Sequence, residues 1–385
     1  MSNLRDRLKR IHDQKNHDTV HKEERNEEKT GSSNKKETAL LNQGWEKCGF
    51  MVLKREVFVP SPFRKLKGIL SKGKSEQYFK IPAALPVLVP DLRERQLLSL
   101  EDFLFFDLET TGLSGGAGTV AFLAAFGSEV SGNLQITQYL LLDYPGENDF
   151  LENVLSRLNQ NNSVIVSYNG KCFDSQIIKT RCLMNRMKPP EYRHADLLHP
   201  ARRLWKNIIH DCSQASVETR ILGLDRSGDI PGALAPEIWF EFLKTERTDR
   251  LTGICDHNIA DICGLAQMLA YIISIASNPF NEKKIYDIER LALYWRRYLR
   301  TIDSLPDEDI NITGDKLLRM AADNGSSRAL YYYSYDKMIN GNYKEALEYV
   351  NRALELSEKD SIWREKLLKR KERIIKRINN LVEKK

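Results

Sequence analysis

The run FLFFDLETTG at Phe103–Gly112 constrains the fold of this 385-residue chain more than any other stretch. Four apolar residues lead into two carboxylates one residue apart and then a turn. In a strand, residues i and i+2 point to one face, so Asp107 and Glu109 converge at the exit of a buried strand. Two such acids repel each other and lose hydration unless a cation lies between them. Hard oxygen ligands suit Mg²⁺ or Mn²⁺, whereas zinc asks for His or Cys. A second Asp-x-Glu, at Asp287 and Glu289, lies in the polar helical pattern KKIYDIERLALYWRRYL with no buried strand before it, and reads as a solvated helix face.

The length allows one large domain and a smaller one. An apolar content of 41% supports a real core, and 29% charged residues a water-facing surface. No stretch reads as the run of about 20 apolar residues that crosses a bilayer, the longest being Gly264–Ala276. The N-terminus, MSNLRDRLKRIHDQKNHD, lacks an apolar signal core, so a cytoplasmic location and no membrane partner are expected. Six scattered cysteines without a CxxC pair read as reduced thiols, not zinc ligands. The net charge of +6 permits a polyanionic partner. Lys54, Arg55, Arg64, Lys65, Lys67, Lys72, Lys74 and Lys80 crowd the stretch before the acidic strand, as solvated surface or as phosphate contacts.

Residues 1–40 read as a flexible charged tail, and 41–99 as a basic, proline-punctuated extended arm with a strand or two. Strands are expected at Phe103–Asp107, Val120–Glu129, Gln135–Leu142, Ser163–Ser167 and Arg193–Leu197. Helices are expected at Asn148–Asn159, Phe173–Met187 and His257–Ala276. The order β-β-β-α-β-α-β over residues 100–278 is that of a ribonuclease-H-like fold, an α/β mixed sheet with flanking helices. A turn-rich insertion, DRSGDIPGALAP, interrupts it at Asp225–Pro236. Residues 279–385, with a polar linker at Asp303–Thr313, are expected to form an all-α module.

With these pieces in place, residues 100–275 resemble the DEDD superfamily of 3′–5′ exonucleases, and most closely the YprB-type ribonuclease-H-like proteins of bacteria. The first motif, Asp-x-Glu in the first strand, falls on Asp107 and Glu109. The second, Asn followed by Phe-Asp at a helix start, falls on Asn169, Phe173 and Asp174 in SYNGKCFD. The third, an Asp on a late helix, falls on Asp261 in HNIADICGLA. The resemblance implies that Asp107, Glu109, Asp174 and Asp261 bind two divalent ions, Mg²⁺ or Mn²⁺, that hydrolyse a phosphodiester of single-stranded DNA or RNA. It also implies that Asn169 and Phe173 contact the terminal nucleotide, with Gly112 and Leu113 close to its base.

Each acid has a physical reading of its own. Asp174 stands near a helix N-terminus, which favours negative charge. Asp261 opens an otherwise apolar helix, as a ligand, or as an N-terminal cap or surface acid. His257 lies one turn before Asp261 on the same face, as a general base or as a capping or phosphate-contacting group. The superfamily usually carries His five residues before the last Asp or Tyr four before it, and this His stands at the Tyr spacing. Asp196 is either an extra acid or an acceptor for local backbone amides. Arg202, Arg203 and Lys206 around Trp205 suit phosphate and stacking contacts to a single strand, or a helix that buries Leu204 and Trp205. The Ser114–Gly118 turn lacks the Gly-Lys-Ser/Thr of an ATP-binding loop.

The stretch NGNYKEALEYVNRALEL (Asn340–Leu356) resembles the second half of a tetratricopeptide repeat, with Gly341, Tyr343, Ala346, Ala353 and Leu356 in matching places, although Glu358 stands where the terminal Pro is expected. It reads as a surface for a protein partner or as a helical buttress, capped by helices at about Lys283–Arg300 and Ile362–Val382. The chain as a whole reads as an exonuclease, a nucleic-acid-binding adaptor acting through its helical tail, or an endonuclease on the same site.

Overall fold

Seven strands form one mixed sheet in a computed structural model that describes residues 37–66, 79–80, 85–92, 97–112, 116, 118–160, 163–281, 285–301, 308–357 and 362–382. Most of the charged tail, Lys67, Lys72, Lys74, Leu113, Ser114, the first part of the Asp303–Thr313 linker and Glu358 lie outside the described residues. The strands are β1 (Glu46–Gly49), β2 (Val52–Pro60), β5 (Phe103–Thr110), β6 (Ala121–Val130), β7 (Asn133–Leu141), β8 (Val164–Ser167) and β9 (Arg193–Asp196); β3 (Phe79–Lys80) and β4 (Leu97–Leu98) pair apart from them. The sheet order is β1-β2-β7-β6-β5-β8-β9, antiparallel as far as β5 and parallel from β5 to β9.

This is the expected ribonuclease-H-like mixed sheet, with two strands more. The stretch expected as an extended arm lies in the sheet: β2 pairs with β7 from Val52↔Leu141 to Pro60↔Asn133. Pro60, which has no amide proton, takes the last position of that ladder. The hairpin between β6 and β7 turns through Ser131 and Gly132, both at positive φ (50° and 85°), the twist that suits a two-residue connection.

Strand β5 separates two apolar layers. Phe103 and Phe105 face one core, and Leu104, Phe106 and Leu108 the other. The second layer holds α1 (Glu147–Leu158), α2 (Asp174–Met184) and α4 (Ala235–Thr245), through Phe150, Ile177, Ile178, Trp239 and Phe242. Helix α3 (Leu198–Trp205) follows β9 and buries Leu204 and Trp205 completely. A helical turn at Gln214–Val217 runs into a π-helical turn, Glu218–Leu222.

The long helix α5 (Asp249–Ser277) begins well before the expected His257. It crosses the face of β5 and β6 so closely that a Cβ at Gly127 would overlap Ile262. The expectation of no span-length apolar stretch is corrected here: by length and composition α5 could cross a membrane, and 67% of its most apolar window is buried inside the fold.

Five further helices follow: α6 (Ile288–Leu299), α7 (Glu308–Asp323), α8 (Ser327–Ile339), α9 (Tyr343–Glu355) and α10 (Ile362–Val382). Helix α7 takes up part of the expected linker because Gly314 lets it lie against the Trp295 indole of α6, where a Cβ would meet the ring. Asp287 is a helix cap that accepts the Arg290 amide (2.9 Å), and Glu289 accepts the Ser326 hydroxyl (2.8 Å), so the second Asp-x-Glu is structural. Buried Ala346 and Ala353 let α8 and α9 approach. Trp295, Leu317, Leu330, Val350 and Leu367 belong to the same apolar cluster as Phe105 and Ile262, so these helices share the core of the sheet domain.

Candidate active site

Alternation along β5 puts Asp107 and Glu109 on the Phe105 face, beneath α5. Asp261 stands midway along α5, so its reading as an N-terminal cap is excluded. One turn earlier, His257 brings Nε2 to 3.4 Å from Asp261 Oδ2. Glu109, His257 and Asp261 each place one ligand atom within 4.8 Å of the others. Asp174, the first residue of α2, is nearly buried.

The electrostatics of these acids are unfavourable without a cation. Burial pushes the Asp107 carboxyl well above the usual range, helped by Asp261, Glu109 and Asp174. Burial does the same to Glu109, followed by Asp261, Asp174 and Asp229. Asp174 is pushed up to about 7 by burial and then by Asp196, so its surroundings outweigh the helix N-terminus. Glu109 is 8% exposed and accepts no hydrogen bond among the described residues. A buried carboxylate without a donor, beside other acids and an imidazole, fits a divalent cation.

Asp107 is held by a relay that no sequence pattern announces. Arg55 on β2 donates to Gln138 Oε1 (2.9 and 3.2 Å), Gln138 Nε2 donates to Asn258 Oδ1 (2.9 Å), and Asn258 Nδ2 donates to Asp107 Oδ2 (2.7 Å). Gln138 and Asn258 are fully buried, and the sheet register aligns Arg55, Gln138, Ala125 and Asp107 in one row. Each amide accepts on one side and donates on the other, which fixes the whole chain. Asn258→Ala is expected to lower stability by about 1–3 kcal/mol and divalent-ion affinity by about 10–100-fold, measured by thermal unfolding and Mn²⁺ titration.

Asp196 serves local amides while also acting electrostatically on Asp174. It accepts from the amides of Asn169 (2.8 Å), Lys171 (3.2 Å) and Leu198 (3.0 Å). These bonds fold the turn that carries Asn169, at φ 60°, and Gly170 ahead of Asp174. A Cβ at Gly170 would stand 2.7 Å from Asp174 Oδ2, so only glycine allows this approach. Phe173, at the start of α2, packs half-buried on the second core. Gly112 lies past the end of β5, its carbonyl accepting the Thr110 hydroxyl at 2.8 Å.

The reading of Arg203 and Trp205 as strand contacts is corrected. Arg203 donates to the Leu88 carbonyl and, at 3.4 Å, to that of Val87, and it lies over Tyr294. Trp205 is buried and donates to the Ile285 carbonyl (2.9 Å), whereas Arg202 is exposed on the same helix.

The Asp225–Pro236 insertion, expected to be only a turn-rich excursion, reaches the acids. Asp229 lies 2.9 Å from His257 Nδ1 through both oxygens. Arg226 pairs with Asp229 (2.8 Å), with Asp261, and with the buried Glu218 (3.4 Å). Burial pushes Glu218 up to about 7, even with the Gln214 amide bonded to it. The only local signal was an Asp-Arg-Ser-Gly-Asp run whose three charges exceed what a plain turn needs.

Sheet order, flanking helices and the convergence of acids on one face define a ribonuclease-H-like domain. Residues 104–273 match RNase_H_2, a family of the RNase_H superfamily, and this segment is a domain of that superfamily. The chain is 38% identical over 192 residues to "Uncharacterized protein YprB" of Bacillus subtilis (strain 168), a match that covers 48% of this chain and 46% of the relative. The chain therefore spans about half the length of that curated relative. A family B DNA polymerase from the hyperthermophilic archaeon Pyrobaculum calidifontis is similar over 51% of this chain and 29% of its own, at 14% identity and a TM-score of 0.35, too slight a likeness to bear on function.

Proposed function

We propose that this protein is a metal-dependent nuclease that hydrolyses phosphodiester bonds, acting as a 3′–5′ exonuclease on single-stranded DNA or RNA by a two-metal mechanism. The observation that carries this reading is the convergence of Glu109, His257 and Asp261, from a strand and a helix far apart in sequence, with Asp107 and Asp174 within electrostatic reach. A nucleic-acid-binding adaptor has no use for such a costly set of acids.

Asp107, Glu109, Asp174 and Asp261 would hold two divalent ions, Mg²⁺ or Mn²⁺. When bound, such ions lower the pKa of water and stabilise charge on the attacking and leaving oxygens. His257 Nε2 accepts the proton of the attacking water as oxygen bonds to phosphorus. The P–O3′ bond breaks, the 3′-oxygen takes a proton, and a nucleoside 5′-monophosphate leaves. By the family resemblance, Asn169, Phe173 and Gly112 would hold the terminal nucleotide. The apolar core shared by the C-terminal helices and the sheet favours a buttress over an independent partner-binding surface.

The test is timed digestion of 5′-labelled single-stranded DNA and RNA with Mn²⁺, Mg²⁺ or EDTA, beside circular and 3′-blocked substrates. A divalent-dependent ladder shortening from the 3′ end is the expected result. Cleavage of circles would point to an endonuclease, and binding without cleavage of any substrate would sink the catalytic reading.

A further inference from the structure

We infer that Asp229, from the insertion, is a positioning residue for His257: it fixes the tautomer in which Nδ1 carries the proton and Nε2 is a bare acceptor aimed at Glu109 and Asp261. The inference rests on the nuclease reading of that site. Both Asp229 oxygens lie 2.9 Å from Nδ1. Two carboxylate oxygens at that distance from an unprotonated nitrogen would set lone pair against lone pair, so the proton sits on Nδ1. Arg226 also faces Nδ1, at 3.5 Å, too far to compete with the two shorter contacts.

The rest of the insertion supports this geometry. Arg226 ties Asp229 to Asp261 and is itself anchored on buried Glu218, so the partner of His257 and the carboxylate beside it move as one body. Gly232 closes over the other side of the ring, where a Cβ would stand 2.9 Å from Nε2. Its missing side chain keeps room at the nitrogen that must accept a proton. With Nδ1 committed to Asp229, Nε2 presents a lone pair towards carboxylate oxygens. In the neutral ring that lone pair is satisfied only by a water or a cation between them, the place an attacking water needs.

The test begins with the full chain in EDTA, without substrate, so that it does not depend on activity. Its seven histidines are labelled with ¹⁵N, and the His257 signals are assigned with His257→Gln. At about pH 8.5, where an ordinary histidine is neutral, long-range ¹H–¹⁵N spectra distinguish the two tautomers. The expected result is Nδ1–H in the wild type and a mixture, or Nε2–H, in Asp229→Asn. A proton on Nε2 in the wild type, or an unchanged tautomer in Asp229→Asn, overturns the inference. In turnover, Asp229→Asn should lower kcat about 10–100-fold with KM little changed, and Asp229→Glu should restore most of the loss. Equal losses in Asp229→Asn and Asp229→Glu, with lowered thermal stability in both, would mean a structural role only. The expected spectra from a chain that cleaves nothing would leave the pairing standing and remove the nuclease reading.

Discussion

Asp107→Asn is expected to lose divalent-dependent phosphodiester hydrolysis by about 10³-fold while becoming more stable without metal. A direct ligand contributes several kcal/mol of charge stabilisation, and about 4 kcal/mol corresponds to about three orders of magnitude in rate. The substitution is mild in shape, because the amide oxygen still accepts from Asn258 Nδ2. It removes a carboxyl whose ionisation burial, Asp261, Glu109 and Asp174 all oppose. A gain of about 1 kcal/mol in EDTA follows, read by thermal unfolding. Loss of activity together with loss of stability would instead make Asp107 a structural acid.

Metal-free protein is expected to lose stability as pH rises from about 6.5 through about 7, and divalent ions to restore it. An unfolded Asp ionises near pH 4, whereas folded Asp174 keeps its proton up to about 7. Between those values the folded state binds more protons than the unfolded state, so stability falls with rising pH. Asp107, Glu109 and Glu218 are shifted the same way. His194, which burial holds near 4, acts in the opposite sense below about pH 6.5, and this sets the lower limit of the window. Thermal unfolding in EDTA should show the decline, with a shallower slope in Asp174→Asn. Saturating Mn²⁺, at about 100 times Kd, should add about 2.7 kcal/mol at pH 8. An equal slope in both proteins would show that Asp174 is not the titrating group.

The parts of the fold and site legible in sequence are those with dense local signals. Strand β5 was announced by four apolar residues and two acids at period two, and α2 by Phe173-Asp174 after a short apolar strand. The start of α5 was hidden because Asp249–His257 mixes charged and apolar residues, and it is helical through packing of Leu251, Ile254 and Cys255. Arg55, Gln138 and Asn258 lie on three distant segments and become a relay only through strand register. Asp229 belongs to a Gly- and Pro-rich run that reads as a turn in any fold. A buried Trp205 is one of two readings of its helix, and the choice rests on its bond to the Ile285 carbonyl, which sequence periodicity in α3 does not see.

The pairing of β2 with β7 joins residues about 80 positions apart, so in a chain growing at about 5–20 residues per second β2 is made several seconds before its partner. During that wait the β7-facing edge of the strand carrying Val52, Leu53, Val57 and Val59 has no partner, the kind of edge that recruits other chains. Lys54, Arg55 and Glu56 interrupt it. Charges at such positions disfavour pairing with other chains, and Arg55 belongs in the finished fold to the relay that steadies Asp107, so one side chain serves both the exposed strand and the site.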